Sequence, residues 1–369
     1  LWNLLDQTCS ENCDYVVIPH NSNLSNGYMF EEPDQDEILI QSTKEPLVEI
    51  FQHKGSSECN VDLNDPLCNF EQLPYKDFRS KFQNDLSSSP DSSFVREALG
   101  KGLLSQDRQS INPLKFGVIA STDTHLGTPG AVDESSFQGH GGAGKSFRSS
   151  IPEGLPDDIE FNPGGLAVAW AEENSRSAIF DAFQRKEVYG TSGPRFIVRF
   201  FVGDNLDKNL CKNPDNISYA YANATPMGGT IASDSLSQPS IFISASADSS
   251  IKDQFIEKLQ VVKGVVRNGE LLTTVHDVGV TNAQSKLDIA NCEVTGSGEK
   301  AMCSVWNDPN FNSSENAYYY VRVVANKSCR WSHNLCLQNP EYCEADSDAS
   351  IPKVIQERAW TSPIWLETT

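Results

Sequence analysis

The segment Phe116-Gly-Val-Ile-Ala-Ser-Thr-Asp-Thr-His125 combines a short apolar run with two potential metal ligands. Its first five residues predict a buried strand, and the Gly- and Pro-rich residues after it predict a loop. Asp123 and His125 are two positions apart, so their side chains point the same way at the end of this strand. Carboxylate oxygen and imidazole nitrogen both suit Zn, Mn or Fe. The alternative is that Asp123 caps a turn and His125 is an ordinary surface residue.

A second apolar run also ends in a histidine. Tyr15-Val-Val-Ile-Pro-His20 predicts a strand with His20 at its carboxyl end, followed by a polar loop. In an α/β barrel the strands are parallel and functional side chains gather at their carboxyl ends. Two such strands, in a chain with only six histidines, predict that His20, Asp123 and His125 surround one metal centre.

A third group of polar residues accompanies the predicted strand Leu47-Val-Glu-Ile-Phe-Gln52. Glu49 alternates with apolar neighbours, so it would face the lumen of a barrel. His53, Lys54 and Glu58 lie in the loop directly after the strand. Each of the four could be a metal ligand, an acid or a phosphate contact. The alternative is a solvated loop with one paired glutamate.

Several motifs together resemble a known family. They are Val-Ile-Pro-His-Asn-Ser-Asn-Leu-Ser-Asn-Gly at 17–27, Gln-His-Lys-Gly-Ser-Ser-Glu-Cys at 52–59, Ser-Thr-Asp-Thr-His at 121–125, Asn-Pro-Gly-Gly-Leu-Ala-Val-Ala-Trp-Ala-Glu-Glu-Asn at 162–174 and Glu-Arg-Ala-Trp-Thr-Ser-Pro-Ile-Trp at 357–365. They recur in order along nearly the whole chain and look like domain-of-unknown-function family 3604. That family is similar to the PHP (polymerase and histidinol phosphatase) metal-dependent hydrolases, including the carbaryl-hydrolase-like branch.

The resemblance implies a distorted β/α barrel with a metal cluster at the strand ends. His20 matches the lone-histidine motif of PHP enzymes, and Asp123 with His125 matches their final Asp-x-His motif. The resemblance also implies two or three divalent metal ions, Zn, Mn or Fe, in the intact protein. PHP enzymes open with a His-x-His motif, which this chain lacks. We therefore expect a fragment without its first barrel strands, which alone binds metal weakly or not at all.

The order of elements predicts an α/β chain in two parts. Residues 1–190 read as strand, loop, strand, helix and strand, which suits the C-terminal part of an incomplete, distorted PHP-type barrel. Residues 191–356 carry many strand-like runs, and Asn268-Gly269 between two of them predicts a hairpin turn. This part is expected to be a β-rich, sandwich-like accessory domain. Residues 357–369 are expected to return to the barrel.

Length and charge narrow the possible partners. The chain has 369 residues, enough for two domains or a barrel with a satellite. Its 50 acidic and 29 basic residues give a net charge of −21, which disfavours nucleic-acid binding because that requires basic surfaces. No run approaches the roughly 18 apolar residues of a membrane span. We therefore expect a small-molecule or ester substrate, with no nucleic-acid partner and no membrane span.

The cysteines predict an oxidising compartment. The chain has ten of them, with none of the paired Cys-x-x-Cys spacings that a zinc ribbon needs. Disulfides are the better interpretation, and they favour a secreted or periplasmic protein. The pairing stays open, although Cys9–Cys13 and Cys292–Cys303 are short loops that a disulfide could close.

A Gly-rich segment offers a competing motif. Residues Gly139 to Ser146 have the spacing of a nucleotide-binding Walker A loop. No apolar strand precedes this loop, and residues 147–152 do not continue as a helix, so nucleotide binding is disfavoured. A mobile loop over the metal site, from which His140 could reach the substrate, is the preferred interpretation.

These observations lead to a functional hypothesis of metal-dependent ester hydrolysis. Bound metal would activate a water, while Glu58 or Glu49 completes or polarises the metal cluster. His53, Lys54 or His140 would neutralise the oxyanion or protonate the leaving group. A phosphoester is the expected substrate, and a carboxyl or carbamate ester is the second choice. The alternative function is a noncatalytic secreted protein whose barrel is degenerate and whose β-rich domain binds a glycan or a partner.

Overall fold

The computed structural model of the protein describes residues 1–9, 13–31, 37–61, 65–72, 93–125, 127–137, 161–282, 285–338, 340 and 352–368. The α-helices within these ranges are α1 (Trp2–Thr8), α2 (Ile38–Lys44), α3 (Val95–Gln109), α4 (Arg176–Gln184), α5 (Asn216–Asn223) and α6 (Trp331–Gln338). None of them is long and apolar enough to cross a membrane.

Most of the regular structure is β-strand. The strands are β1 (Leu47–Gln52), β2 (Gly55–Ser56), β3 (Gly117–Ala120), β4 (Leu166–Ala169), β5 (Val188–Thr191), β6 (Ile197–Asp204), β7 (Thr225–Pro226), β8 (Thr230–Ala232), β9 (Pro239–Ser246), β10 (Ile256–Arg267), β11 (Glu270–Val280), β12 (Lys286–Asp288), β13 (Glu293–Thr295), β14 (Ala301–Asn307), β15 (Ala317–Cys329), β16 (Val354–Thr361) and β17 (Ile364–Glu367). They form a large sheet β11-β10-β15-β16-β5-β4 with β17 and β8 attached through β15, and three smaller sheets, β2-β1-β3, β14-β9-β6-β7 and β12-β13.

The large sheet is the middle layer of the molecule. Successive side chains of a strand point to opposite faces, and in β15 both faces are apolar. Tyr319 and Val321 pack into one hydrophobic core, while Tyr318 and Tyr320 pack into a second core on the other face. The sequence of β15, which is apolar from Ala317 to Val324 except at Arg322, is therefore buried on both sides.

The first core joins the large sheet to the four-stranded sheet as a β-sandwich. Val198 and Phe200 of β6 and Ile241 and Ile243 of β9 face the large sheet here. The turn at Asn268-Gly269 connects β10 to β11 as predicted, with both residues in the left-handed conformation that a two-residue hairpin requires.

The second core covers the opposite face with α3 and the small sheet. Leu99 and Leu103 of α3 pack with Val48 of β1 against Trp360 and Trp365. Backbones approach closely at this contact. A Cβ added at Gly190 of β5 would lie 2.8 Å from the backbone nitrogen of Ala120 in β3, so only glycine fits there.

The predicted β/α barrel is wrong. In the ranges that the structure describes, every sheet is open and most neighbouring strands are antiparallel. The strands also outnumber the helices there. The strands β1 and β3 are parallel and joined through α3, but β4 and β5 pair antiparallel within the large sheet. A strand buried on both faces has the same apolar sequence in a barrel and in the middle layer of a three-layer stack. The sequence pattern does not distinguish these two architectures.

Two disulfides in the described ranges join cysteines that are close in sequence, and two join cysteines that are far apart. Cys9–Cys13 is present as expected, and Cys59 pairs with Cys68. The expected Cys292–Cys303 pair is wrong, because Cys292 bonds to Cys329 and Cys303 to Cys211. Cys303 lies on β14 and Cys211 in a short 3₁₀ turn 92 positions earlier. The sheet therefore brings together cysteines that are far apart in sequence.

Candidate functional site

Three extended segments run in the same direction and end close together. The strands β1 and β3 are parallel neighbours, and Ser121 after β3 donates its N–H to Phe51 O at 3.0 Å. The expected strand at 15–19 is extended without being a regular strand. It lies beside β1, where Pro19 O accepts the N–H of Glu49 at 3.0 Å. The polar residues that follow β1 and β3 therefore lie close together.

Asp123 is the centre of this group. Its φ of 53° is a left-handed conformation that aspartate adopts more readily than most residues. Its Oδ2 lies 3.0 Å from Nε2 of His53 and accepts a 3.1 Å hydrogen bond from Nε2 of Gln52. The ammonium of Lys54 also pairs with Oδ2, and Nε2 of His125 lies 3.8 Å from Oδ1. We call these five residues the Asp123 cluster.

The Asp123 carboxylate is held in its anionic form. Burial raises the pKa of Asp123, but the hydrogen bonds from His53 and Lys54 outweigh burial and keep the pKa well below its usual range. The ammonium of Lys54 also lies 2.7 Å from Nε2 of His53. Positive charge is thus already accommodated beside an imidazole nitrogen and a carboxylate oxygen, which are the atoms that a metal ion would use.

The two histidines of the cluster differ in exposure. His53 is fully buried and stacks on Phe161, with ring centroids 5.0 Å apart. Burial lowers the pKa of His53 to about 4, so its imidazole is neutral at physiological pH, the form that binds metals. The side chain of His125 is 49% exposed, and its ring lies edge-on to that of His53 at 6.1 Å. His125 is therefore the histidine that faces solvent.

Glu49 lies next to the cluster rather than inside it. One of its carboxylate oxygens accepts the hydroxyl of Ser121, and the other accepts the N–H of Asn21 at 3.4 Å. Burial raises the pKa of Glu49 to about 7, and the nearby charge of Asp123 contributes to that rise. Asn21 also accepts a hydrogen bond from Nε2 of Gln52, which links Glu49 to the residues around Asp123.

His20 is exposed at the end of its segment. Among the described residues, two groups of three potential ligands have their ligand atoms within 4.8 Å of one another, and neither contains His20, Asp123 or His125. Those groups are Cys292 with Cys329 and His333, and Cys59 with Asp65 and Cys68, whose cysteines are in disulfides. The structure thus brings His125 to Asp123 and leaves His20 facing solvent.

Glu58 lies in a buried ionic network between α3 and the large sheet. Its Oε1 accepts hydrogen bonds from Arg96 at 2.7 Å, Arg322 at 2.9 Å and the hydroxyl of Tyr320 at 2.8 Å. Its Oε2 accepts the indole N–H of Trp360 at 2.7 Å. Burial raises the pKa of Glu58, but the charges of Arg322 and Arg96 outweigh it and hold the pKa below its usual range. These contacts tie the two layers together.

His140 and the Gly-rich segment 139–146 lie outside the described residues. Three residues at the site were not among the predicted site residues. They are Gln52, which belongs to the cluster, Asn21, which accepts a hydrogen bond from Gln52, and Phe161, which stacks on His53. Gln52 and Asn21 adjoin His53 and His20 in the motifs quoted above, and that adjacency is the signal that could have identified them.

The comparisons with known proteins give a family. The chain matches the family described as "Protein of unknown function (DUF3604)" over residues 1–368. The chain belongs to this family. No curated protein and no solved structure gives a significant match to it. The function of this family member therefore has to be argued from its own residues.

Proposed function

We propose that this family member is a metal-dependent hydrolase of ester bonds, with a phosphoester as the first choice of substrate. The observation that carries the proposal is the meeting of two imidazoles with the Asp123 carboxylate, at the carboxyl ends of a parallel strand pair. The resemblance of the motifs to PHP hydrolases supports the same chemistry.

His53, Asp123 and His125 would hold one ion, and the ion would draw the side chains together, because their ligand atoms do not all lie within 4.8 Å of one another in this structure. Two nitrogen donors and one oxygen donor suit Zn, Mn or Fe, and three protein ligands leave a coordination position open for substrate or water. When bound, such an ion lowers the pKa of a water molecule to about 7 and so supplies hydroxide at neutral pH. The second and third ions that the resemblance implies would need further ligands, and Glu49 is the neighbouring carboxylate.

Lys54 favours an anionic substrate. An ion at Asp123 would compete with the Lys54 ammonium for Oδ2, so Lys54 would move away when the ion binds. An ammonium released at the strand ends can donate to a phosphoryl oxygen. In a chain with a net charge of −21, a local cation is needed to attract an anion. A carboxyl or carbamate ester, whose carbonyl oxygen becomes negative during attack, is the second choice.

A noncatalytic secreted protein is the second candidate. Lys54 already neutralises Asp123, so the cluster is electrically satisfied without a metal ion. In this case the β-rich part of the chain would bind a glycan or a partner protein, and the Asp123 cluster would only stabilise the loops after β1 and β3.

We also propose that the protein works in an oxidising compartment, either secreted or periplasmic. The support is the set of four disulfides within the described ranges, together with Cys336, which is also disulfide-bonded. Cytosolic reductants keep most thiols reduced, so this number of bonds favours a location outside the cytosol.

Metal content and hydrolysis test the proposal together. The full-length protein is stripped with a chelator, reloaded with Zn, Mn or Fe, dialysed, and examined by elemental analysis and with p-nitrophenyl phosphate, bis-p-nitrophenyl phosphate and p-nitrophenyl acetate. The variants are Asp123→Asn and His53→Gln. The matched control is His276→Gln. His276 lies on β11, outside the Asp123 cluster, and packs against Trp306 of β14.

The wild type and the His276→Gln control are expected to retain metal and to hydrolyse the phosphoesters. Asp123→Asn should lose metal, and its turnover should fall by more than about 100-fold, since even outer partners of a metal ligand cost about 10–100-fold. A wild type that retains no metal under any loading condition would refute the enzyme and favour the noncatalytic candidate. Full metal retention by Asp123→Asn would refute the assignment of Asp123 as a ligand.

A further inference from the structure

A cavity of about 860 Å³ lies apart from the Asp123 cluster. Its walls come from the loop at 130–135, the segment 193–195 after β5, the loop at 248–254, strand β13, and the adjoining parts of β15 and β16. No member of the Asp123 cluster lines it. Its function is therefore a separate question from the proposed hydrolysis.

Two glutamates line this cavity, and each has one carboxylate oxygen without a hydrogen-bond donor in the described ranges. Glu357 of β16 is 3% exposed, and its Oε2 accepts the hydroxyl of Ser192. Within the described part of the chain, its Oε1 has no donor. Glu134 accepts the N–H of Trp331, at the start of α6, through Oε2, while its buried Oε1 has no hydrogen-bond partner. Buried oxygens without donors are rare in folded proteins and require an explanation.

No cationic side chain in the described ranges forms an ion pair with either carboxylate. The cationic residues Arg195 and Lys252 also line the cavity. Arg330, whose charge acts on Glu134, forms a bidentate pair with Glu71, with N–O distances of 3.0 Å. Burial raises the pKa of Glu357 to about 8 and that of Glu134 well above its usual range, and the charge of Glu357 adds to the shift of Glu134. The pair therefore needs either a proton or a cation to neutralise it.

We propose that this cavity binds a small organic cation, whose ammonium or guanidinium donates to Oε1 of Glu134 and to Oε1 of Glu357. An organic ligand fits better than a bare metal ion, because the cavity is far larger than one ion. No three acidic or histidine ligand atoms from the described lining residues lie within 4.8 Å of one another. The side chains of Val132, Ile251 and Val294 also line the cavity and would contact the carbon skeleton.

Calorimetric titration of the full chain tests this site. The probes are butylammonium and arginine methyl ester at pH 8.5, with butanol as the uncharged match and CaCl₂ as the metal. Glu357→Gln and Glu134→Gln each remove one charge. Glu270→Gln, at an exposed position on β11, is the charge-matched control. Thr295→Trp places an indole at an exposed position of the cavity wall without touching either carboxylate.

At least one organic cation should bind and butanol should not. Each glutamate variant should weaken binding roughly tenfold or more, as expected for a lost hydrogen bond to a charged group. Thr295→Trp should also weaken it, and Glu270→Gln should leave it unchanged. If Glu357→Gln does not fold, judged by its near-ultraviolet circular dichroism, Glu134→Gln and Thr295→Trp decide the outcome. The proposal would be overturned if neither organic cation binds, if butanol binds equally well, or if only calcium binds.

Discussion

Replacing Glu58 by glutamine should destabilise the whole protein. The carboxylate of Glu58 is the acceptor for four buried donors, which belong to Arg96, Arg322, Tyr320 and Trp360. A glutamine keeps the shape of the side chain but removes the negative charge. It also introduces an amide NH₂ that faces donors instead of acceptors.

The size of the effect follows from the charges left behind. In the wild type, Glu58 and Asp65 together face Arg96 and Arg322. Without the charge of Glu58, the single negative charge of Asp65 is left to neutralise two buried guanidinium groups. Breaking a buried ion pair in this way costs about 3–5 kcal/mol, because an uncompensated charge remains in the interior. We therefore expect the free energy of unfolding to fall by about this amount.

Urea unfolding under oxidising conditions measures this difference. The matched control is Glu315→Gln, since Glu315 also forms a two-point pair with an arginine, at 2.6 and 3.0 Å, but Arg267 is 42% exposed. Exposed pairs contribute only about 0–1 kcal/mol, so the control should change little. If Glu58→Gln unfolds within about 1 kcal/mol of the wild type, the ionic network does not stabilise the fold as argued. Glu58 would then be free for the catalytic role that the sequence predicted.

Three further predictions follow from the packing and charges. Burial raises the pKa of Glu357 to about 8, above its value in the unfolded chain, so the protonated form stabilises the fold at lower pH. The free energy of unfolding, measured by urea titration, should therefore fall as the pH rises through about 8. The fall should be smaller in Glu357→Gln. Removing the Cys211–Cys303 disulfide by double substitution to serine should cost about 4–5 kcal/mol in the same assay, because the bond spans 92 positions, and an unchanged midpoint would contradict this. Gly190→Ala should cost about 1–3 kcal/mol, since its Cβ would meet the backbone of Ala120, and a thermal midpoint equal to the wild type would show that β3 and β5 can separate without penalty.

The strands were predictable from sequence, but their assembly was not. The apolar runs at β1, β3, β10 and β15 indicate buried strands, and each is present. The order of strands in a sheet depends on contacts between distant segments. The strand β15 shows why the sequence does not reveal that order. Its alternate side chains enter two different cores, which gives a largely apolar sequence like that of a barrel strand.

The candidate site was predictable to the extent that it depends on local sequence. His53 and Asp123 each follow a strand closely, and the two strands are parallel neighbours, so their meeting was foreseeable. Glu58 follows the same strand as His53, but its bonds go elsewhere. Its partners Arg96 and Arg322 are 38 and 264 positions away, so no local pattern could separate an interior anchor from a catalytic carboxylate.

The large sheet contributes one face to each of the two hydrophobic cores, and neither core is complete without it. A fragment ending after Thr191 would lose Trp360 and Trp365, so the apolar faces of α3 and β1 would meet water. A fragment beginning there would expose Tyr318 and Tyr320 in the same way. Limited proteolysis should therefore yield either intact protein or small peptides, and attempts to express one half alone should give aggregates.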